Sequence, residues 1–301
     1  MFLDNKIGKD TKTGRKLEKN MKLIKDILQG VAIGVANIIP GVSGGTMMVS
    51  MGIYADVISA VTGIFSHFKQ SVKMLLPYAV GMLLGIVSLS FAIGYLFEYY
   101  PFQTVMLFIG LIFGGLPFIL PKVAGARVTV TEILIFLAFF ALIVGMEFLQ
   151  QGTDKVLMAD AGSILKLFLV GTVAAATMVI PGVSGSMLLM SLGYYTPIIN
   201  CINEFIVAVF TLRWEKMRGC MGVLVPFGIG VVLGIFLISK LVEYLLSRHE
   251  RKTYFAILGL LVASPIAVFS GISVGGLGFA AVLVGLFLFI VGFIVANVLG
   301  K

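Results

Sequence analysis

Two short segments hold the residues best placed to do chemistry in this chain: Ile39–Gly45 reads IPGVSGG and Ile180–Ser186 reads IPGVSGS. Both lie inside long apolar stretches. Proline removes an amide donor and obstructs the preceding turn, while glycine reaches backbone angles closed to other residues. Each segment therefore breaks an apolar helix, and in a bilayer core the freed backbone groups must be met by protein, trapped water or a ligand. Ser43, Thr46, Ser184 and Ser186 follow the breaks and are placed to cap a second half-helix. A helix starting there points unpaired N–H groups, and about half a positive charge, at the break. Two such ends meeting near the midplane make an anion site for a phosphate or carboxylate head, with no lysine or arginine in the lipid. The plainer reading is that proline and glycine only kink helices and let them pack closely. The same hydroxyls recurring in two matched segments favour the ligand site. Asn37, three residues before Pro40, offers an amide to the groups the proline frees. Its counterpart is Met178, so the two breaks are similar without being equivalent.

The elements that must position these residues follow from composition. Of 301 residues 59% are hydrophobic and 12% charged, about half the charge of a soluble domain, which predicts an all-α polytopic membrane protein. Apolar runs fall at about 28–62, 74–97, 102–120, 132–149, 165–210, 221–246, 254–270 and 277–299. The first and fifth are too long for one span of roughly 20 residues, and each contains a break. Residues 1–29 form a basic segment with eight lysines and arginines against four acids. No apolar signal-peptide core follows its early lysines. It reads as a cytoplasmic tail that fixes topology, or as a strip attracted to anionic headgroups. Nothing accompanies the net charge of +8 that would indicate nucleic-acid binding. Cys201 and Cys220 are too few and too isolated for a metal site or disulfide framework, and no cofactor is expected.

The chain repeats itself beyond the motif. Ser50, Gly52 and Tyr54 match Ser191, Gly193 and Tyr195 at the motif's own offset of 141. Pro77, Gly81, Gly85, Tyr95 and Gly110 match Pro226, Gly230, Gly234, Tyr244 and Gly259 at an offset of 149. Two membrane repeats are thus expected at 30–150 and 165–301, joined by a loop at 151–164. If each broken element crossed the membrane, the halves would be parallel and most loop cations would lie outside, against the positive-inside rule. If each is re-entrant, a repeat has three transmembrane helices plus one hairpin and the second repeat is inverted. Lys69, Lys73, Lys122, Arg127, Arg248, Arg251 and Lys252 then share the inner side with the N-terminus. The inverted arrangement is the expectation; Arg213, Lys216 and Arg218, placed outside by it, are its residual exception.

Few ionisable residues interrupt the apolar runs. Asp56, one turn past Gly52, reads either as a buried carboxyl that accepts a coupling proton or as a hairpin-exit residue in water. Lys240 and Glu243, three apart on one helix, are spaced to neutralise each other. Trp214 beside Arg213 and Lys216 reads as an interfacial anchor.

ANIIPGVSGGT at 36–46 and IPGVSGSMLLMSLGYY at 180–195 resemble the two signature segments of a bacterial membrane family associated with polyprenyl-phosphate transport, the PopT-like family. The resemblance covers the chain after the basic tail. It implies a plasma-membrane translocase that returns undecaprenyl phosphate, the lipid carrier of cell-wall glycans, to the cytoplasmic leaflet. The motif match carries over Asn37, Pro40, Gly41, Ser43, Gly44, Gly45 and Thr46, together with Pro181, Gly182, Ser184, Gly185 and Ser186, as the substrate-binding positions. The residues alone leave open a carrier or channel for a small soluble anion. An enzyme is disfavoured: no histidine acid/base cluster, aspartate-rich metal motif or serine paired with a base is present.

Overall fold

The computed structural model describes residues 12–38, 43–125, 127–147, 161–183, 185–270, 272 and 277–300. Among the sequence-predicted site residues, Pro40, Gly41 and Ser184 lie outside this set, as does most of the expected 151–164 loop. The described residues form thirteen helices and no strand. The first half contains α1 (Lys12–Ile38), α2 (Gly44–Ser50), α3 (Tyr54–Thr62), α4 (Phe68–Tyr99), α5 (Pro101–Phe113), α6 (Leu116–Val123) and α7 (Val130–Glu147). The second contains α8 (Ala161–Val179), α9 (Gly185–Ser191), α10 (Tyr195–Phe210), α11 (Trp214–Arg248), α12 (Glu250–Ser270) and α13 (Phe279–Gly300). Among the described residues, four stretches can cross a bilayer by length and composition: Phe68–Leu89, Pro101–Val123, Trp214–Arg248 and Phe279–Gly300. The inverted arrangement expects six crossings. Val130–Met146 is a shorter apolar helix.

Local sequence sets the boundaries. Pro101 opens α5 at a position where its missing N–H costs nothing. Thr129 and Glu132 cap α7 reciprocally: the Thr129 N–H donates to the Glu132 carboxylate at 2.7 Å, and the Glu132 N–H donates to the Thr129 hydroxyl at 3.3 Å. The helix α1 begins within the basic segment, so the second half of that segment is a helical extension of the first apolar run.

Small residues hold the long helices together, as expected where lipid is as apolar as the side chains it meets. On α1 and α4, Gly30 lies against the Tyr78 carbonyl, Gly81 against the Ile27 carbonyl and Gly85 against the Val31 carbonyl. On α8 and α11 the same contacts recur one for one: Gly171 with Phe227, Gly230 with Phe168, Gly234 with Thr172. A β-carbon at any of these glycines would overlap the facing backbone. Two further pairs join the halves, α5 with α13 and α7 with α12. In the first, contacts advance together from Phe102 at Gly285 to Phe118 at Gly300, so these helices run parallel. In the second, Gly259 packs on the Phe136 carbonyl. The buried apolar clusters lie between these pairs; one joins Val49, Tyr54 and Ile112 of the first half to Val179, Val242 and Leu261 of the second.

Loop contacts order the ends of the bundle. Lys122 pairs with Glu250 at 2.8 Å, and Arg251 with Glu132 at 3.4 Å. The Arg251 Nε also donates to the Val123 carbonyl. The loop after α6 and the turn between α11 and α12 therefore share one end. The α10–α11 turn stands at the other end of α11, whose 35 residues span about 50 Å.

Candidate functional site

At the first break the chain resumes helix at Gly44, with Ser43 as the N-cap. Its backbone is extended (φ −111°, ψ 139°), and its Oγ accepts from the Gly45 N–H at 3.2 Å. The Asn37 Oδ1 accepts from the Gly44 N–H at 3.1 Å, a first-turn donor of α2 rather than a group that the proline frees. The Met47 N–H donates to the Ser43 carbonyl at 3.2 Å. Gly44 is needed because the Asn37 amide stands where its β-carbon would be, 2.8 Å away.

The second break packs directly on this one. The Thr46 hydroxyl accepts from the Gly182 N–H at 2.6 Å, with both groups buried. Gly45 faces the Val179 carbonyl, 2.8 Å from where a β-carbon would stand, and the Pro181 backbone. Gly182 has φ +80°, a left-handed conformation strained for any side chain. It is also walled by the Leu260 carbonyl and the Ser264 hydroxyl, each 2.9 Å from a notional β-carbon. Tyr54 reaches across the halves to donate to the Val179 carbonyl at 3.2 Å. Thus Asn37, Ser43, Gly44, Gly45 and Thr46 come together with Pro181 and Gly182. Gly185 packs against Met178 and the Ala174 carbonyl, and Ser186 is engaged by hydrogen bonding or another polar contact.

Sequence reasoning missed Tyr54 and Ser264 as parts of this junction. Tyr54 carried a signal, since it recurs as Tyr195 at the motif offset, whereas Ser264 carried none. In this conformation the first two donors of α2 are met by Asn37 and Ser43, and the Gly182 donor by Thr46. Three backbone donors of the two breaks are thus met by three different side-chain oxygens, in buried or part-buried surroundings.

Asp56 is exposed and is not a buried carboxyl. It lines a cavity of about 650 Å³ between α3, the start of α4 and α11, together with Gln70, Ser71, Lys240 and Glu243. Lys240 and Glu243 make no ion pair with each other; the Lys240 ammonium lies 4.7 Å from the Phe236 ring centre. A second cavity of about 450 Å³ lies between α10 and α11 and is lined by Pro197, Cys201, Glu204, Lys216 and Cys220. At the repeat offsets these positions match Asp56, Ala60, Gly63, His67 and Ser71, so the two cavities occupy equivalent places in the two halves. The cysteines, remote in sequence, meet here: the Cys201 thiol donates to the Cys220 carbonyl at 3.7 Å.

Comparison with known proteins supplies the context. The profile of the undecaprenyl phosphate translocase-like family matches residues 33–275. A polyprenyl-phosphate transporter of Staphylococcus aureus is 33% identical over 282 residues, covering 92% of this chain and 95% of its own length. A polyprenyl-phosphate transporter of Vibrio cholerae is 25% identical over 262 residues, covering 82% of this chain and 77% of its own length. No solved structure matches the chain at a significant level. With most of its length matched, both breaks included, this chain belongs to the undecaprenyl phosphate translocase-like family.

Proposed function

We propose that this protein carries undecaprenyl phosphate, or a related polyprenyl phosphate, across the bacterial plasma membrane for reuse as a lipid carrier. The observation that carries the reading is the Thr46–Gly182 hydrogen bond, which brings the two breaks to one buried point in a chain whose relatives are named polyprenyl-phosphate transporters. The tail is apolar enough to stay in lipid, so only the phosphate needs a polar path. At the junction its oxygens replace Asn37, Ser43 and Thr46 as acceptors for the half-helix donors, and those side chains take the donors back when the head leaves. Exchanging one set of oxygens for another keeps the buried N–H groups satisfied throughout, which avoids about 1–3 kcal/mol for each orphaned donor. No bond is made or broken, so the protein is not an enzyme in this account.

Alternating access through two inverted repeats is the mechanism we infer. It is supported by the glycine contacts repeated one for one in α1–α4 and α8–α11, and by the Lys122–Glu250 and Arg251–Glu132 pairs. Those pairs join loops that a parallel arrangement would place on opposite faces. With re-entrant hairpins the basic loops lie on the cytoplasmic side with the N-terminus. The halves are packed unequally. The helix α3 lies on α11, sealed by an edge contact of Phe65 on Phe236, while the equivalent α10 has no comparable packing on α4. One hairpin packed across the repeat boundary and one packed within its own repeat is an asymmetry of the kind that a single state of such a cycle requires. Asp56 lines the first cavity with Lys240, Glu243 and His67, where it is exposed and fits the hairpin-exit reading rather than that of a buried proton acceptor.

The test is translocation of a fluorescent short-tailed polyprenyl phosphate in proteoliposomes. Wild type moves the lipid, and the Ser43→Ala/Ser184→Ala double variant does so at least tenfold more slowly. A folded wild-type protein that moves no lipid at any pH or ion gradient refutes the proposal and leaves the soluble-anion carrier.

A further inference from the structure

The α10–α11 turn carries Arg213, Lys216 and Arg218, the cations that the positive-inside pattern leaves unexplained. They stand about 50 Å of helix from the Lys122–Arg251 end. Here the structure adds an observation the sequence lacks. Lys216 lines the 450 Å³ cavity between α10 and α11, and Arg213 and Lys216 together line an adjoining one of about 270 Å³ with Asn203 and Glu204. Lys216 keeps a loose pairing with Glu204 at 3.5 Å. The Arg213 guanidinium meets no carboxylate among the described residues. Arg213 is aimed by an unusual turn: Leu212 is a non-glycine residue at φ +51°, a conformation that costs about 1 kcal/mol or more. Phe210, Leu212 and Trp214 flank it and are 84%, 70% and 65% exposed. Aromatic and apolar side chains beside basic ones belong at the headgroup level of a bilayer.

We infer that this turn is a capture site for the phosphate monoester of a lipid, on the membrane face opposite the basic loops. The inference rests on the translocase reading and adds the place where the head is first held. Arg213 and Lys216 take the phosphate oxygens with charge-assisted hydrogen bonds, Arg213 by its planar fork. Glu204 holds Lys216 in place until the phosphate displaces it. Phe210, Leu212 and Trp214 lie among the acyl chains, so the isoprenoid tail never leaves lipid. The captured head then lies at the mouth of the cavity between α10 and α11, on the side of the hairpin that leads to the junction at Gly182. The equivalent cavity at the other end has Asp56 and Glu243 against Lys240, a net negative lining suited to releasing a phosphate. Outward capture and inward release follow from that difference.

The test uses oriented proteoliposomes with the fluorescent short-tailed polyprenyl phosphate placed in one leaflet at a time. For Arg213→Gln/Lys216→Gln the KM for lipid offered on the α10–α11 side rises about tenfold, the order of one lost charge-assisted hydrogen bond, while the maximal rate is retained. Arg213→Lys with Lys216→Arg restores most of the affinity. In a parallel arm inorganic phosphate is added as competitor, and it does not inhibit at millimolar concentration. An unchanged KM on that side overturns the inference, and so does an equal loss from both leaflets through a lowered maximal rate. Strong inhibition by inorganic phosphate also overturns it, because the site would then take a soluble anion. Wild type that moves no lipid fails the translocase reading itself, which separates the two failures.

Discussion

Thr46 joins the two breaks, because its hydroxyl satisfies the Gly182 donor at a turn whose φ of +80° calls for glycine. Thr46→Val keeps the shape and leaves that N–H buried and unpaired, a cost of about 1–3 kcal/mol. The expected result is a lower unfolding temperature in detergent together with slower lipid translocation. Thr46→Ser restores both, and an unchanged unfolding temperature in Thr46→Val contradicts the geometry. At this scale the sequence was most informative at the motifs themselves. Proline, glycine and hydroxyl residues in that order have few structural uses, and Asn37 and Ser43 act on backbone donors as their chemistry suggests. Ser264 and the meeting of Cys201 with Cys220 were illegible, because they depend on how distant helices pack.

At the scale of the helix, small residues decide. Gly228 and Gly230 stand two apart on α11, yet no atom lies within 4 Å of a β-carbon at Gly228, while one at Gly230 overlaps the Phe168 carbonyl. Gly228→Ala is expected to leave stability unchanged or raise it by up to about 1 kcal/mol through helix propensity. Gly230→Ala pushes α8 from α11 and lowers the yield of folded protein and its unfolding temperature. Equal effects of the two substitutions would contradict the packing. The matched glycines of the two repeats foretold which helices correspond, but not that α5 pairs with α13 and α7 with α12. Those pairings join the repeats, and a pattern internal to each repeat says nothing about its partner. The apolar runs over α7 and α12 read as spans by hydropathy; among the described residues α7 is a shorter apolar helix, and α12 is not among the four stretches that can cross a bilayer by length and composition.

For the molecule as a whole, the loop pairs Lys122–Glu250 and Arg251–Glu132 predict an accessibility pattern. In a background with both native cysteines replaced by serine, Lys122→Cys and Arg248→Cys react with a membrane-impermeant maleimide from the cytoplasmic side, and Thr211→Cys reacts from the opposite side. Labelling of all three from one side would dismantle the inverted arrangement. Loop charge is what suggests that arrangement, and the loop contacts add an observation that charge counting lacks: a direct link between two loops from different repeats. The central claim remains that the phosphate head is held where the two breaks meet. The most direct measurement is photo-crosslinking with a short-tailed polyprenyl phosphate bearing a diazirine beside the phosphate, followed by mass spectrometry of the adducts. Adducts are expected at 37–46 and 180–186, suppressed by excess undecaprenyl phosphate. Adducts confined to the lipid-facing sides of α4 and α13, with both breaks unmodified, would contradict it.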